Sequence, residues 1–308
     1  MTAVRAERVV SLLPAGTEIV SALGAIGQLV AISHECDYPA DVVHLPRVTA
    51  SAVDRDADSA SIDASVRSMA ASGAPVFTIA ADDLVRLQPT LILTQSLCEV
   101  CAVSASGVGS LAQLLSPRPT ILPLVGRTLD AVWEDIRTVG AALGRTREAE
   151  LLLASIGDRL RRVHETLEAA RAPRPRVAVI EWLDPLFVAG HWTPDLVRRA
   201  GGIDVLAKPG QHSVRIAVEQ VRDAEPELLL FAPCGFDGER AEREARALLD
   251  APEWSWARGI EAWAIDGNAL TSRPGPRLAD AVEVMAAIIA PALFPAPAAS
   301  YVRRLSLT

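Results

Sequence analysis

Two stretches of this chain repeat one another in the same order, and that repetition limits the fold more than any single motif does. The first pair sets RVVSLLPAGTEIVSALG, residues 8–24, against RVAVIEW, which starts at Arg176 and continues after a longer loop into TPDLVRRAGG, ending at Gly202. Each copy reads as a strand, a loop, a helix opened by a threonine (Thr17 or Thr193) with an acid in its first turn, and a glycine stop. The second pair sets LVRLQPTLILTQSLC, ending at Cys98, against QVRDAEPELLLFAPC, ending at Cys234. One pair alone is within reach of chance among apolar segments. Two pairs in register are not, so two similar lobes are expected.

Strand-length apolar runs alternate with helix-length periodic stretches along the whole chain, the pattern of strands that cross over through helices into parallel sheets. The strand candidates are 9–13, 29–33, 76–79, 91–95, 120–124, 177–182, 228–232 and 262–266. Between the halves, Gly144 stops one helix, and Thr146 with Glu148 starts another that runs to about Ala170. Its Leu151, Leu152, Ile156, Leu160, Val163 and Leu167 recur at helical spacing, and 25 residues reach about 37 Å, enough to span two lobes. The expected fold is α/β, with two similar lobes that each hold a central, mainly parallel sheet. Residues 1–144 form the N-terminal lobe, 145–171 the bridging helix and 172–308 the C-terminal lobe.

The repeated segments, the DYP at 37–39, the long helix and RRAGGIDVLA at 198–207 together resemble the cobalamin-binding branch of the class III, helical-backbone solute-binding proteins of ABC transporters. The resemblance covers residues 8 to about 291. It implies a non-enzymatic binding protein that holds a corrinoid or related metal chelate in a cleft between the lobes, with little relative motion about the single helix. It also implies docking on an ABC permease through one surface carboxylate per lobe, and the matching positions are Asp82 and Glu219. Corrinoid binders face the flat ring with aromatic side chains. Here the corresponding loops read TQSLCEVCAV (94–103) and KPGQHSVRI (208–216), leaving Tyr38, Trp182, His191, Trp192, His212 and Phe236 as candidate ligand-binding residues.

A formal charge of -8 argues against nucleic acid and anionic membrane as partners. No apolar run reaches the 18 residues of a membrane span. Arg5 and Arg8 before the apolar 9–13 run imitate a signal peptide, but Pro14 and Glu18 interrupt it and the run reads as a core strand. The expected compartment is therefore the cytoplasm, or the periplasm or exterior if the true start lies upstream.

In parallel sheets ligands bind beyond the carboxyl ends of the strands. All four cysteines, Cys36, Cys98, Cys101 and Cys234, fall on such loops, together with three of the five histidines, His34, His191 and His212. Thiolate and imidazole favour zinc, iron or cobalt over magnesium or calcium, and Cys98 with Cys101 can place two sulfurs on one metal. His34, Cys36, Cys98, Cys101 and Cys234 are thus candidate metal ligands, with at least three of the cysteines, His34 and His191 expected to converge. Free cysteines that are simply small buried hydrophobes explain the same residues equally well. A cleft enzyme with Cys98, Cys101 or Cys234 as nucleophile and His191 or His34 as base rests on residue types alone. The helices opened by Thr17 and Thr193 offer N–H groups to an anion, and ordinary capping explains both.

Overall fold

The computed structural model describes residues 7–96, 105–113 and 115–306. They form two compact units, Met1–Gly126 with Asp130–Ala154, and Arg127–Leu129 with Ser155–Thr308. The long helix Thr146–Ala170 is shared between the two and contains the boundary.

The first unit is built on four parallel strands in the order Leu29–Ile32, Val9–Ser11, Leu91–Gln95 and Thr120–Leu124. Val9–Ser11 and Leu91–Gln95 are buried at every position, polar Ser11, Thr94 and Gln95 included, because both faces of these strands are covered. Val9, Leu91 and Leu93 face one buried cluster with Ile19, Ile136 and Leu153, while Val10 and Ile92 face another with Leu84 and Val48. Each fully buried aliphatic side chain contributes about 1.5–3 kcal/mol of transfer free energy. A short antiparallel pair, Thr49–Ser51 with Phe77–Ile79, stands apart from this sheet.

The second unit centres on the parallel strands Arg176–Leu183, Leu228–Phe231 and Glu261–Ile265. Its first strand outruns its neighbours. Beyond Ile180 it turns back through Leu186–Val188 as a hairpin, and Val214–Arg215 pairs onto that hairpin. The other end of the same strand accepts Ile203–Asp204 in parallel, and Val302–Leu305 closes the opposite edge antiparallel. The eight expected strands are present within two residues at each end. The five short ones at 49–51, 186–188, 203–204, 214–215 and 302–305 were not anticipated.

The repetition seen in sequence holds at atomic detail. Arg8 immediately precedes the first strand of its unit and Arg176 begins that of the other, and their carbonyls accept from the N–H groups of Thr90 and Glu227. Their guanidinium groups reach back to helix-end carbonyls, Arg8 to Leu87 and Arg176 to Ala224 and Glu225. Thr90 Oγ1 and Glu227 Oε2, at matching positions, accept from the two arginine N–H groups at 2.9 and 2.8 Å. Gln88 and Glu225, each just before a proline, adopt the left-handed conformation at φ 44° and 45°.

Three expectations are corrected. Helix Pro14–Ala22 begins three residues before Thr17, with Leu13 as its cap, because Pro14 sets the first turn. Thr17 is therefore inside the helix. Trp192, not Thr193, caps the seven-residue helix Thr193–Arg199, so neither threonine is an N-cap. In the long helix Leu151 is 60 % exposed, and the buried stripe runs through Ala149, Leu153, Ile156, Leu160, Val163 and Leu167, a strict alternation of three- and four-residue steps.

Candidate functional site

The first strand of the second unit carries the local geometry on which a site can be built. Trp182 lies on its overrun, half-buried, with Nε1 donating to the Asp184 carbonyl at 3.1 Å. Beneath it, Phe236 follows the carboxyl end of Leu228–Phe231 and meets the Trp182 ring at 5.3 Å. On another side the Arg240 guanidinium lies 3.5 Å from the Phe236 centroid, and Phe236 is only 2 % exposed. Phe236 is thus a support for Trp182 rather than a wall open to a ligand. Trp192 is likewise internal, since it is buried and its Nε1 donates to the Thr271 carbonyl at 2.8 Å. The indole is committed to holding the helix beside it.

His191 and His212 come together through two loops that lock edge to edge. The His191 N–H donates to the Gln211 carbonyl at 2.6 Å, the Gly210 N–H donates to the His191 carbonyl at 2.8 Å, and the Gly190 N–H donates to Ser213 Oγ at 3.2 Å. Gly190 is required there, because a Cβ would sit 2.5 Å from the Ser213 nitrogen and 2.6 Å from the Gln211 oxygen. The clasp also holds His191 at φ 53°, an uncommon conformation for a residue with a side chain. The His191 and His212 rings meet edge to face with centroids 5.3 Å apart. Arg127, which follows the strand Thr120–Leu124, donates from Nη1 to His212 Nε2 at 3.1 Å. Burial pushes the His191 imidazole below its ordinary range, and the charges of His212 and Arg127 push it the same way. His191 is therefore a neutral ring, and its Nε2 is buried without a hydrogen-bond partner.

The 206–213 loop is anchored at its root by Asp204, whose Oδ1 accepts from the N–H groups of Leu206 and Ala207, both at 2.9 Å. Its Oδ2 is buried with no hydrogen-bond partner, and burial pushes the carboxyl up to about 6 despite those two bonds.

In the first unit the loop after Leu29–Ile32 carries His34, Cys36 and Tyr38. Tyr38 is 46 % exposed. His34 Nδ1 lies 2.7 Å from Thr49 Oγ1 and its ring lies 5.6 Å from Phe77. Burial first, then the charges of Arg55 and Arg47, bring its pKa down to about 4. Cys36 is fully buried, its sulfur 3.1 Å from Thr17 Oγ1, where it packs as a small hydrophobe of the core. Cys234 is exposed in the other unit. Cys98 and Cys101 lie outside the described residues. Among the described residues no three of His, Cys, Asp and Glu are grouped so as to hold a metal ion. Cys36 is removed from the candidate metal ligands, because its sulfur points into the core; His34 shares its unit, and Cys234 and His191 belong to the other. Asp82 and Glu219 are both exposed, each in the first turn of a short helix, Ala81–Leu87 and Val218–Asp223.

Arg127 is the participant that sequence reasoning passed over. The rule that residues after parallel strands line sites would have found it, since it stands three positions beyond Leu124.

No helix among the described residues is long and apolar enough to cross a membrane. A family model described as periplasmic binding protein matches residues 9–258. The vitamin B12-binding protein of Vibrio cholerae serotype O1 is 24% identical over 278 residues, covering 90% of this chain and 87% of its own. Among solved structures, a periplasmic heme-binding protein from Pseudomonas aeruginosa matches with a TM-score of 0.73 at 22% identity, covering 97% of this chain and 98% of its own. The periplasmic vitamin B12-binding protein of Vibrio cholerae matches with a TM-score of 0.64 at 23% identity, covering 92% and 96%. Both solved structures are named for the periplasm, so the cytoplasmic expectation gains no support from them.

Proposed function

The chain belongs to the periplasmic binding protein family, and from that premise we propose that it binds a flat metal chelate of the corrinoid class without transforming it. The observation that carries this reading is the pair of ring side chains that the second unit offers near its strand ends: His212 exposed, and Trp182 seated half-buried on Phe236. Rings held from behind present flat apolar faces at low conformational cost, which is what a macrocycle needs. The vitamin B12-binding relative, similar over nine-tenths of the chain, supports a corrinoid.

A second reading, heme, is supported by the similarity to the Pseudomonas heme-binding protein and by His191, a neutral imidazole of the kind that binds iron. A bare zinc, iron or cobalt ion loses Cys36 as a ligand to the core. Titration of the purified protein with aquocobalamin and with hemin, followed by absorption, tests the proposal. Saturable binding of aquocobalamin that weakens in Trp182→Ala supports it. Binding of neither chelate would end it.

Asp82 and Glu219 occupy equivalent places in the two repeats, and we assign both to contact with a permease. Reversal of both charges should abolish uptake in a reconstituted transporter while leaving chelate binding intact. Unchanged uptake would remove the assignment.

A further inference from the structure

The strand-end loops of the second unit hold a cluster whose charge has one sign. Arg127, His212 and His191 stand in line, the guanidinium on one imidazole and that imidazole on the next. The guanidinium that bears on His191 from this cluster, Arg127, is positively charged. In the present arrangement His212 Nε2 accepts from Arg127, which requires a neutral imidazole with its lone pair turned to the guanidinium. This uses an exposed arginine for a modest neutral acceptor. The clasp between the 189–192 and 208–213 segments fixes both imidazoles at their backbones, so the cluster cannot relax by letting the loops part.

We propose that Arg127 and His212 form a receptor for an ionised carboxylate or phosphate on the rim of the bound chelate. This rests on the solute-binding reading and narrows it to chelates that carry such a group. When the anion enters, His212 takes one proton from solvent and turns from accepting the Arg127 N–H to donating its own. Arg127 releases the imidazole, and both side chains then donate to the anion in charge-assisted hydrogen bonds. No covalent bond is made or broken beyond that proton transfer. His191, neutral and edge-on, is the fixed ring against which His212 stands.

The test compares matched ligands in wild type, Arg127→Gln and His212→Gln. Hemin is paired with its dimethyl ester, which lacks the carboxylates, and aquocobalamin with dicyanocobinamide, which lacks the nucleotide loop and its phosphate. Each substitution should weaken binding of the member that carries the ionised carboxylate or phosphate, in whichever pair binds, by about tenfold, the order expected when one charge-assisted hydrogen bond is lost. The partner that lacks that group should change by less than about twofold. Equal loss for both members would overturn the proposal, because it would mean that the substitution disturbed the loop rather than an anion contact. If neither chelate binds wild type, the solute-binding reading fails separately. The receptor is then judged on nitrogen-labelled histidine signals during titration with inorganic phosphate and with succinate. His212 faces His191 and Arg127, so an anion that engages it should raise its protonation at fixed pH, and this signal should be absent in Arg127→Gln. Unmoved His212 signals would overturn the receptor.

Discussion

Replacing Asp204 by asparagine should stabilise the protein at neutral pH and leave it nearly unchanged in acid. Burial lifts the Asp204 carboxyl from 3.8 to about 6. A folded-state value above the unfolded one means that the native state favours the protonated form. The associated stability is then fully present below pH 3.8 and is lost as pH rises through about 6. The shift of about 2 units, at 1.36 kcal/mol each, sets a ceiling of about 3 kcal/mol on the penalty carried by the ionised side chain at pH 7.5. Asparagine keeps the oxygen that accepts from Leu206 and Ala207, and puts an uncharged amide where Oδ2 is buried without a partner. That amide costs about 1 kcal/mol for its own unmet bonds. The net gain expected is about 1–2 kcal/mol, or a rise of roughly 3–6 °C in melting temperature for a unit of this size. Of the six tryptophans only Trp133 belongs to the first unit, so intrinsic fluorescence follows the second. Denaturation of both proteins between pH 4 and 8 should show a stability difference that opens as pH rises through 6. A variant no more stable than wild type at pH 7.5, with a difference independent of pH, would refute the reasoning.

Gly267→Ala should destabilise by about 1–3 kcal/mol, because the added Cβ would meet the Pro233 carbonyl oxygen at 2.1 Å, a backbone atom with no room to yield; urea midpoints measure it. His34, with its pKa lowered to about 4, contributes stability that is lost as pH falls from 6.5 through 4, so wild type should weaken in that window more steeply than His34→Gln. Parallel slopes for the two proteins would remove His34 as the cause. Gln88→Gly and Glu225→Gly should each stabilise by up to about 1 kcal/mol, since glycine removes the left-handed strain at φ 44° and 45° while loosening the unfolded chain. Thermal melts of the two single variants would show whether relief of strain outweighs that loosening.

The strands that sequence reveals are those whose own residues decide the matter. Leu91–Gln95 and Thr120–Leu124 appear at their expected limits because each is a mainly apolar run between turn residues, the first buried at every position in the middle of the sheet and the second part-buried at its edge. Leu186–Val188 and Val214–Arg215 are too short to carry a period. They exist because Arg176–Leu183 extends past its neighbours and offers an unpaired edge. The same distinction separates the site residues. His191 and His212 follow from their loop positions, and the clasp that joins them needs a glycine that the sequence displays. Trp192, Phe236 and Cys36 sit on loops of the same kind yet face inward, because Thr271, Arg240 and Thr17 offer them partners that are remote in sequence. Composition and spacing hold no record of such choices.

The arginine that opens each unit makes the molecule its own control. Arg8 and Arg176 reach matching carbonyls from matching places, but Arg8 receives Thr90 where Arg176 receives Glu227. A neutral hydroxyl and a carboxylate have thus been set to one task in two copies of one framework within a single chain. Exchanging Thr90 and Glu227 would show what the charge adds, with solvent, temperature and protein concentration identical for both copies. Few proteins let ancestry supply both the experiment and its reference.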